Sequence, residues 1–288
     1  MRLLDYYHLS AVLRRLRRAS VADMRRWIST LPAIALAPRP NDITTAICGV
    51  FPGTTRVQAD ALQTELATDQ VLHSSLDSAM RLRRGRLVQW QEWHPFLYAA
   101  VRVHRPNLVL ETGVFDGLSS AVILRAMERN TIGELVSIDL PARKPVVNAT
   151  DRMPEGALPE GCPSGWIVPD YLRSRYRLNL GDSRDLLPRI LETYRHVDIF
   201  LHDSLHTYGH QRFEYNSVWP YLTSGGLLLS DDIFWSAAFH RFCRKHGLRY
   251  VNAGKVGGFG AARKPGNAAV SLAQDRTEPV LEESNPLS

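Results

Sequence analysis

The sequence predicts an α/β protein built on an open, largely parallel sheet that ends in an antiparallel hairpin, preceded by a helical arm. Three observations carry that reading. From Trp90 onward, short apolar runs of strand length alternate with segments of helical length, the pattern of a parallel sheet with crossover helices. The last two apolar runs are joined by the turn 252–258, which has no room for a helix, so they should pair antiparallel. The first ninety residues instead repeat apolar positions at helical spacing, with arginines on the other faces.

Taken in order, Leu9, Val12, Leu13 and Leu16 mark one helix of the arm. Ser20 reads as the N-cap of a second, reaching about Ser29. Pro32, Pro38 and Pro40 break the pattern, and a further helix is expected over Asp69–Arg84. Beyond the arm, a helix over Trp90–His104 leads to a buried strand at 108–110 and a helix from about Leu118 to Arg129. Further strands are expected at 135–138, 176–180, 197–201, 227–229, 248–251 and 259–262, seven in all. Residues 141–170, rich in proline and glycine, interrupt the second crossover with an excursion long enough to be a lid or substrate wall. After Lys264 periodicity ends, and a flexible tail is expected. The resulting division is an arm over 1–89, a main domain over 90–264 and a tail over 265–288.

Composition excludes several classes of protein. With 44% hydrophobic and 22% charged residues, the chain has enough apolar material to fold. No apolar run approaches the 18–20 or so residues that span a bilayer. Cys48, Cys162 and Cys243 are odd in number and lack metal-ligand spacing, which points to reduced thiols and a cytoplasmic setting. Residues 1–90 hold 13 arginines against 7 acidic residues, so the whole net charge of +6 sits in the arm. Such helices could meet nucleic acid or a membrane surface, but no aromatic residues interleave with the arginines to stack on bases. A solvated cap, or an arm through which two copies associate, is the favoured reading.

In an open α/β sheet, ligands bind beyond the carboxyl ends of the strands at the topological switch point. The first strand ends in Glu111-x-Gly113-x-x-x-Gly117-x-Ser119, whose glycines allow a close turn facing a helix N-terminus. This is not the Gly-x-Gly-x-x-Gly of dinucleotide binding, so a nicotinamide-dependent oxidoreductase is the weaker alternative; tight helix–strand packing would also explain the glycines. The second strand ends in Asp139, placed to accept both hydroxyls of a ribose, and the third in Gly181-Asp182-Ser183, where an adenine edge could lie. Together these strand ends have the shape of a nucleoside site.

Asp203 follows the fourth strand, and Asp231 and Asp232 follow the fifth. Neighbouring strands would bring the three carboxylates to one rim, where hard oxygen ligands suit Mg²⁺ or Ca²⁺. Alternatively, Asp231 and Asp232 cap a helix starting near Phe234. His206 stands three residues past Asp203, with a side chain suited to removing a hydroxyl proton at neutral pH. His202 is expected to point away from Asp203, and His210 and Glu214 to serve packing or capping on the next helix.

These motifs resemble those of class I S-adenosylmethionine-dependent methyltransferases over about residues 90–264. The stretches Asp198–Tyr208 and Ser230–Ile233 are similar to the small-molecule O-methyltransferase branch that includes catechol-type and macrolide-sugar enzymes. The resemblance implies a Rossmann-like seven-stranded methyltransferase sheet. It also implies that Gly113 and Gly117 receive the amino-acid end of S-adenosyl-L-methionine, with Glu111 and Ser119 helping to position it. Asp139 would hold the ribose, and Asp182 with Ser183 the adenine. Asp203, Asp231 and Asp232 would bind a divalent ion such as Mg²⁺, and His206 would be the base, assisted by Asp203. An Asn-Pro-Pro-Tyr-like tetrapeptide is missing after the fourth strand, which argues against nucleic-acid bases and for a hydroxyl of a small molecule or sugar. A non-catalytic protein that keeps the pocket and works in an assembly is the other alternative.

Overall fold

The computed structural model describes residues 38–141, 157–255 and 257–266. The helices expected at 9–16 and 20–29, the first part of the 141–170 excursion and nearly all of the tail lie outside the described residues.

Three helices precede the main domain: α1 (Ile43–Val50), α2 (Arg56–Ala67) and α3 (Gln70–Arg84). Each starts on a side-chain cap that satisfies an otherwise orphaned backbone N–H. Asp42 accepts from Thr45 N, Thr55 forms a capping box with Gln58, and Asp69 accepts from Leu72 N. The α3 helix is the one expected at 69–84. The first two were not foreseen, and α2 shows why: only Ala59 and Leu66 of its twelve residues are buried, so its apolar stripe is faint. Asp69 also receives the guanidinium of Arg125 at 2.6 and 3.0 Å, tying the arm to the main domain.

There follow α4 (His94–His104), β1 (Leu108–Thr112), α5 (Leu118–Asn130) and β2 (Glu134–Asp139). A 3₁₀ turn over Asp170–Arg175 leads into β3 (Tyr176–Leu180), α6 (Ser183–Tyr194), β4 (Val197–His202), α7 (Tyr208–Val218) and β5 (Leu222–Ser230). The chain closes with α8 (Ala238–Lys245), β6 (Tyr250–Asn252) and β7 (Gly260–Arg263). Helix α4 starts at His94 rather than Trp90, because Pro95 suits a first helical turn and the His94 ring accepts Gln91 N. Strand β5 starts five residues earlier than expected; Gly225 and Gly226 hide that start, and the pairing with β4 shifts register there.

The sheet order is β3-β2-β1-β4-β5-β7-β6, with β7 antiparallel to both neighbours and the other pairings parallel. Strand side chains alternate between two apolar layers. Val109, Leu135, Ile199, Leu201, Leu227 and Leu229 pack against α1–α5. Leu110, Val136, Ile138, Phe200 and Leu228 pack against α6–α8. The arm helices thus share the core of the main domain. Because β1 is followed on one side by β2 and β3 and on the other by β4, the switch point lies between β1 and β4.

Candidate active site

The turn after β1 is built for close approach. Gly113 has φ +86 and Gly117 φ +103, and at both positions the neighbour is the protein's own backbone. A Cβ on Gly113 would stand 2.0 Å from the Asp203 carbonyl oxygen; one on Gly117 would stand 2.7 Å from Gly165 Cα. Beneath the turn Glu111 is fully buried and accepts hydroxyls from Ser119, Ser120 and Ser137 at 2.6, 2.6 and 2.7 Å. Burial pushes its carboxyl up, and the three hydroxyls partly offset that.

Asp139 stands at the end of β2, buried. One oxygen accepts Val114 N at 2.8 Å; the other accepts the Ser164 hydroxyl. The carboxylate already takes a hydroxyl donor, the interaction a ribose would offer, so the donor chemistry here fits an adenosyl group. Gly181 N donates to the Asp139 carbonyl at 2.8 Å, bringing the end of β3 alongside. Asp182 is exposed and caps α6 through Arg184 N at 2.8 Å. Ser183 turns inward and donates to Glu214 at 2.6 Å.

On the other side of the switch point the acidic residues converge. His202 and Ser230 are register partners on β4 and β5, so Asp203 and Asp231 leave adjacent strand ends. The His206 ring lies between two carboxylates, with Nε2 3.6 Å from Asp203 and Nδ1 3.9 Å from Asp232. Burial and the neighbouring Asp231 raise the Asp203 carboxyl well above its usual range, against the pull of His206. Burial and Asp232 push Asp231 up to about 7. The carboxylates do not cap the following helix: α8 begins only at Ala238, and Ser236 Oγ accepts its first N–H. Gly257 closes over this rim, since a Cβ there would stand 1.9 Å from Asp232 Oδ1. Asp203, Asp231 and Asp232 suit a hard cation in kind, yet among the described residues no three His, Cys, Asp or Glu side chains stand as a metal-holding group.

The sequence reading passed over Glu214 as a packing residue. It is fully buried and accepts from Thr112 Oγ1, His202 Nδ1 and Ser183 Oγ, each at 2.6 Å, from His210 Nε2 at 2.9 Å and from Ser204 Oγ at 3.0 Å. Burial pushes this carboxyl up, but His202 and His210 outweigh it and hold it below the usual range. As expected, His202 turns away from Asp203, toward α7. Its ring still stands edge-on to His206, 5.3 Å between centroids. The available signal was the i,i+4 pair His210 and Glu214 on one helix face.

Residues 110–233 match the family model described as a methyltransferase domain. No curated protein sequence matches the chain. Among solved structures, it is similar to a methyltransferase from Geobacter sulfurreducens, at 18% identity over 73% of this chain and 98% of that one (TM-score 0.47). It is similar to the O-methyltransferase from Bacillus cereus in complex with SAH, at 14% identity over 70% and 99% (TM-score 0.48). The O-methyltransferase TomG from Streptomyces achromogenes, involved in tomaymycin synthesis and solved in complex with SAM, shares 17% identity over 69% and 91% (TM-score 0.47). The strand order and the antiparallel β7 make this chain an α/β protein with a Rossmann-like seven-stranded sheet. Its central part, residues 110–233, is similar to that methyltransferase domain.

Proposed function

We propose that the protein transfers a methyl group from S-adenosyl-L-methionine to a hydroxyl of a small molecule or sugar. One observation supports this reading above the others: the glycine turn after β1 is in direct backbone contact with the loop that carries Asp203 and His206, Gly113 against the Asp203 carbonyl. A donor held at the turn and an acceptor held at the acidic rim would therefore be neighbours.

In this reading Asp139 holds the ribose hydroxyls, and Asp182 and Ser183 stand at the adenine end. Gly113 and Gly117 shape the turn that would receive the amino-acid end, and Glu111 with Ser119 supports that turn from beneath. When bound, the cofactor supplies an electrophilic methyl on a sulfonium. His206 takes the acceptor's hydroxyl proton, and Asp203, 3.6 Å from the ring's Nε2, offsets the charge that develops on it. Asp203, Asp231 and Asp232 would hold Mg²⁺ together with waters, and the ion would lower the pKa of the acceptor hydroxyl. Residues 90–264 form the methyltransferase domain, with the arm as a cap or a surface for a second copy. Free thiols at Cys48, Cys162 and Cys243 suit a cytoplasmic setting, and no helix among the described residues is long and apolar enough to cross a membrane.

Calorimetry with S-adenosylhomocysteine tests the cofactor. The protein should bind it, and Asp139→Ala should weaken binding by roughly tenfold or more, since hydrogen bonds to a charged group contribute about 1.5–3 kcal/mol each. Undiminished binding in the variant would remove Asp139 from the site. Excess chelator should stop methyl transfer and added Mg²⁺ restore it; full turnover in chelator would take the ion out of the reading.

A further inference from the structure

The ribose contact of the proposed function rests on Asp139, and one oxygen of that carboxylate is already engaged by the chain. Ser164, itself buried, donates its hydroxyl to Asp139 Oδ2. Ser164 begins a short strap that lies along the turn 113–117. Gly165 N donates to the Phe115 carbonyl at 2.8 Å and Ile167 N to the Asp116 carbonyl at 3.1 Å. The Trp166 indole donates to Asp116 Oδ1 at 2.7 Å. Two glycines let the backbones meet, Gly117 on the turn and Gly165 on the strap. Arg84, the last residue of α3, donates to Asp116 Oδ1 at 2.6 Å, the oxygen that also accepts the Trp166 indole, and to the Ala157 carbonyl at 3.1 Å, so arm and strap meet at Asp116.

We propose that residues 164–168 are an internal occupant of the ribose site, and that an adenosyl ligand binds by displacing the Ser164 hydroxyl from Asp139. The inference rests on the reading of Asp139 as the ribose-holding residue. Its physical basis is like-for-like exchange: a carboxylate oxygen accepts a sugar hydroxyl on the same terms as a serine hydroxyl. The ligand must also release the strap, whose grip on the turn consists of two backbone N–H bonds and one indole bond. Apparent affinity is then reduced by the fraction of molecules in which the strap is closed. Loosening the strap should strengthen binding, the opposite of what loss of an ordinary site residue does. Any ligand with free vicinal ribose hydroxyls would meet the same barrier, and arm and cofactor site would be coupled through Arg84.

S-adenosylhomocysteine binding to the full chain and to Ser164→Ala, measured by calorimetry, tests this. The variant should bind about fivefold more tightly, the equivalent of one net hydrogen bond of about 1 kcal/mol. Unchanged or weaker binding overturns the proposal, because Ser164 would then be a bystander or part of the bound site. Loss of binding in Asp139→Ala beside unchanged binding in Ser164→Ala overturns the strap alone and leaves the ribose reading standing. Undiminished binding in Asp139→Ala overturns both. Amide hydrogen exchange on the unmodified protein gives an independent result that does not depend on the variant folding. The Gly165 and Ile167 amides should exchange faster when the protein is saturated with S-adenosylhomocysteine, and slower or equal exchange overturns displacement.

Discussion

At the scale of single residues, two glycines with similar backbone conformations separate conformational strain from steric contact. Gly85 ends α3 with φ +65, and a Cβ there would meet nothing within 4 Å. Gly113 has φ +86 and a backbone carbonyl where its Cβ would be. Alanine at position 85 should cost only the left-handed penalty, about 1–2 kcal/mol. Alanine at 113 adds an overlap that a backbone segment must move to relieve, and core overpacking costs a further 1–3 kcal/mol or so. Urea unfolding should therefore place Gly113→Ala below Gly85→Ala in stability. Equal midpoints would mean that the Asp203 loop yields freely and is not fixed against the turn. The sequence alone shows both glycines but not the difference, since the partner that decides it is some ninety residues away.

Among elements, α7 does more than cover the sheet. Through Glu214 it gathers groups from the ends of β1 and β4, the start of α6 and the loop after Asp203 into one buried network. Removing the carboxylate with Glu214→Ala leaves several buried donors without an acceptor, and a broken buried pair typically costs about 3–5 kcal/mol. Glu214→Gln keeps one acceptor oxygen and should lose less. Denaturant unfolding of the two variants checks the order, and a loss under about 1 kcal/mol in Glu214→Ala would show that water replaces the carboxylate. This network was not legible beforehand: packing or capping was the duty expected of Glu214, and its partners come from separate segments that only the fold brings together. The strands were legible for the opposite reason. Leu108–Leu110 and Ile199–Leu201 are unbroken apolar runs, as strands covered on both faces tend to be. The convergence of Asp203, Asp231 and Asp232 was equally readable, since it needs only the strand order. What the carboxylate of Asp139 holds was not, because Ser164 lies in an excursion without periodicity.

For the molecule as a whole, stability should depend on histidines kept neutral by burial. His94 stands where the arm helices meet the main domain, 2% exposed, its Nδ1 accepting Gln91 N at 2.8 Å. Burial lowers its pKa from 6.5 to about 3, and the hydrogen bond from Gln91 acts on it as well. An unfolded chain takes up this proton near 6.5, whereas the folded chain does so only near 3. Between those values the unfolded state binds more protons, so stability is complete above 6.5 and falls as pH drops through the window. His202, also fully buried, is lowered in the same direction, first by burial and against the pull of Glu214. At about 1.4 kcal/mol per pH unit, His94 alone should remove about 2 kcal/mol between pH 6.5 and 5. His94→Asn keeps a polar side chain at that position but does not titrate, so its stability at pH 7 should be lower than that of the parent while its loss from pH 7 to 5 should be smaller by that amount. Denaturant unfolding of both proteins at the two pH values gives the comparison. Parallel losses would show that the imidazole gains a proton in place, with the junction of arm and sheet open enough to solvate the charge.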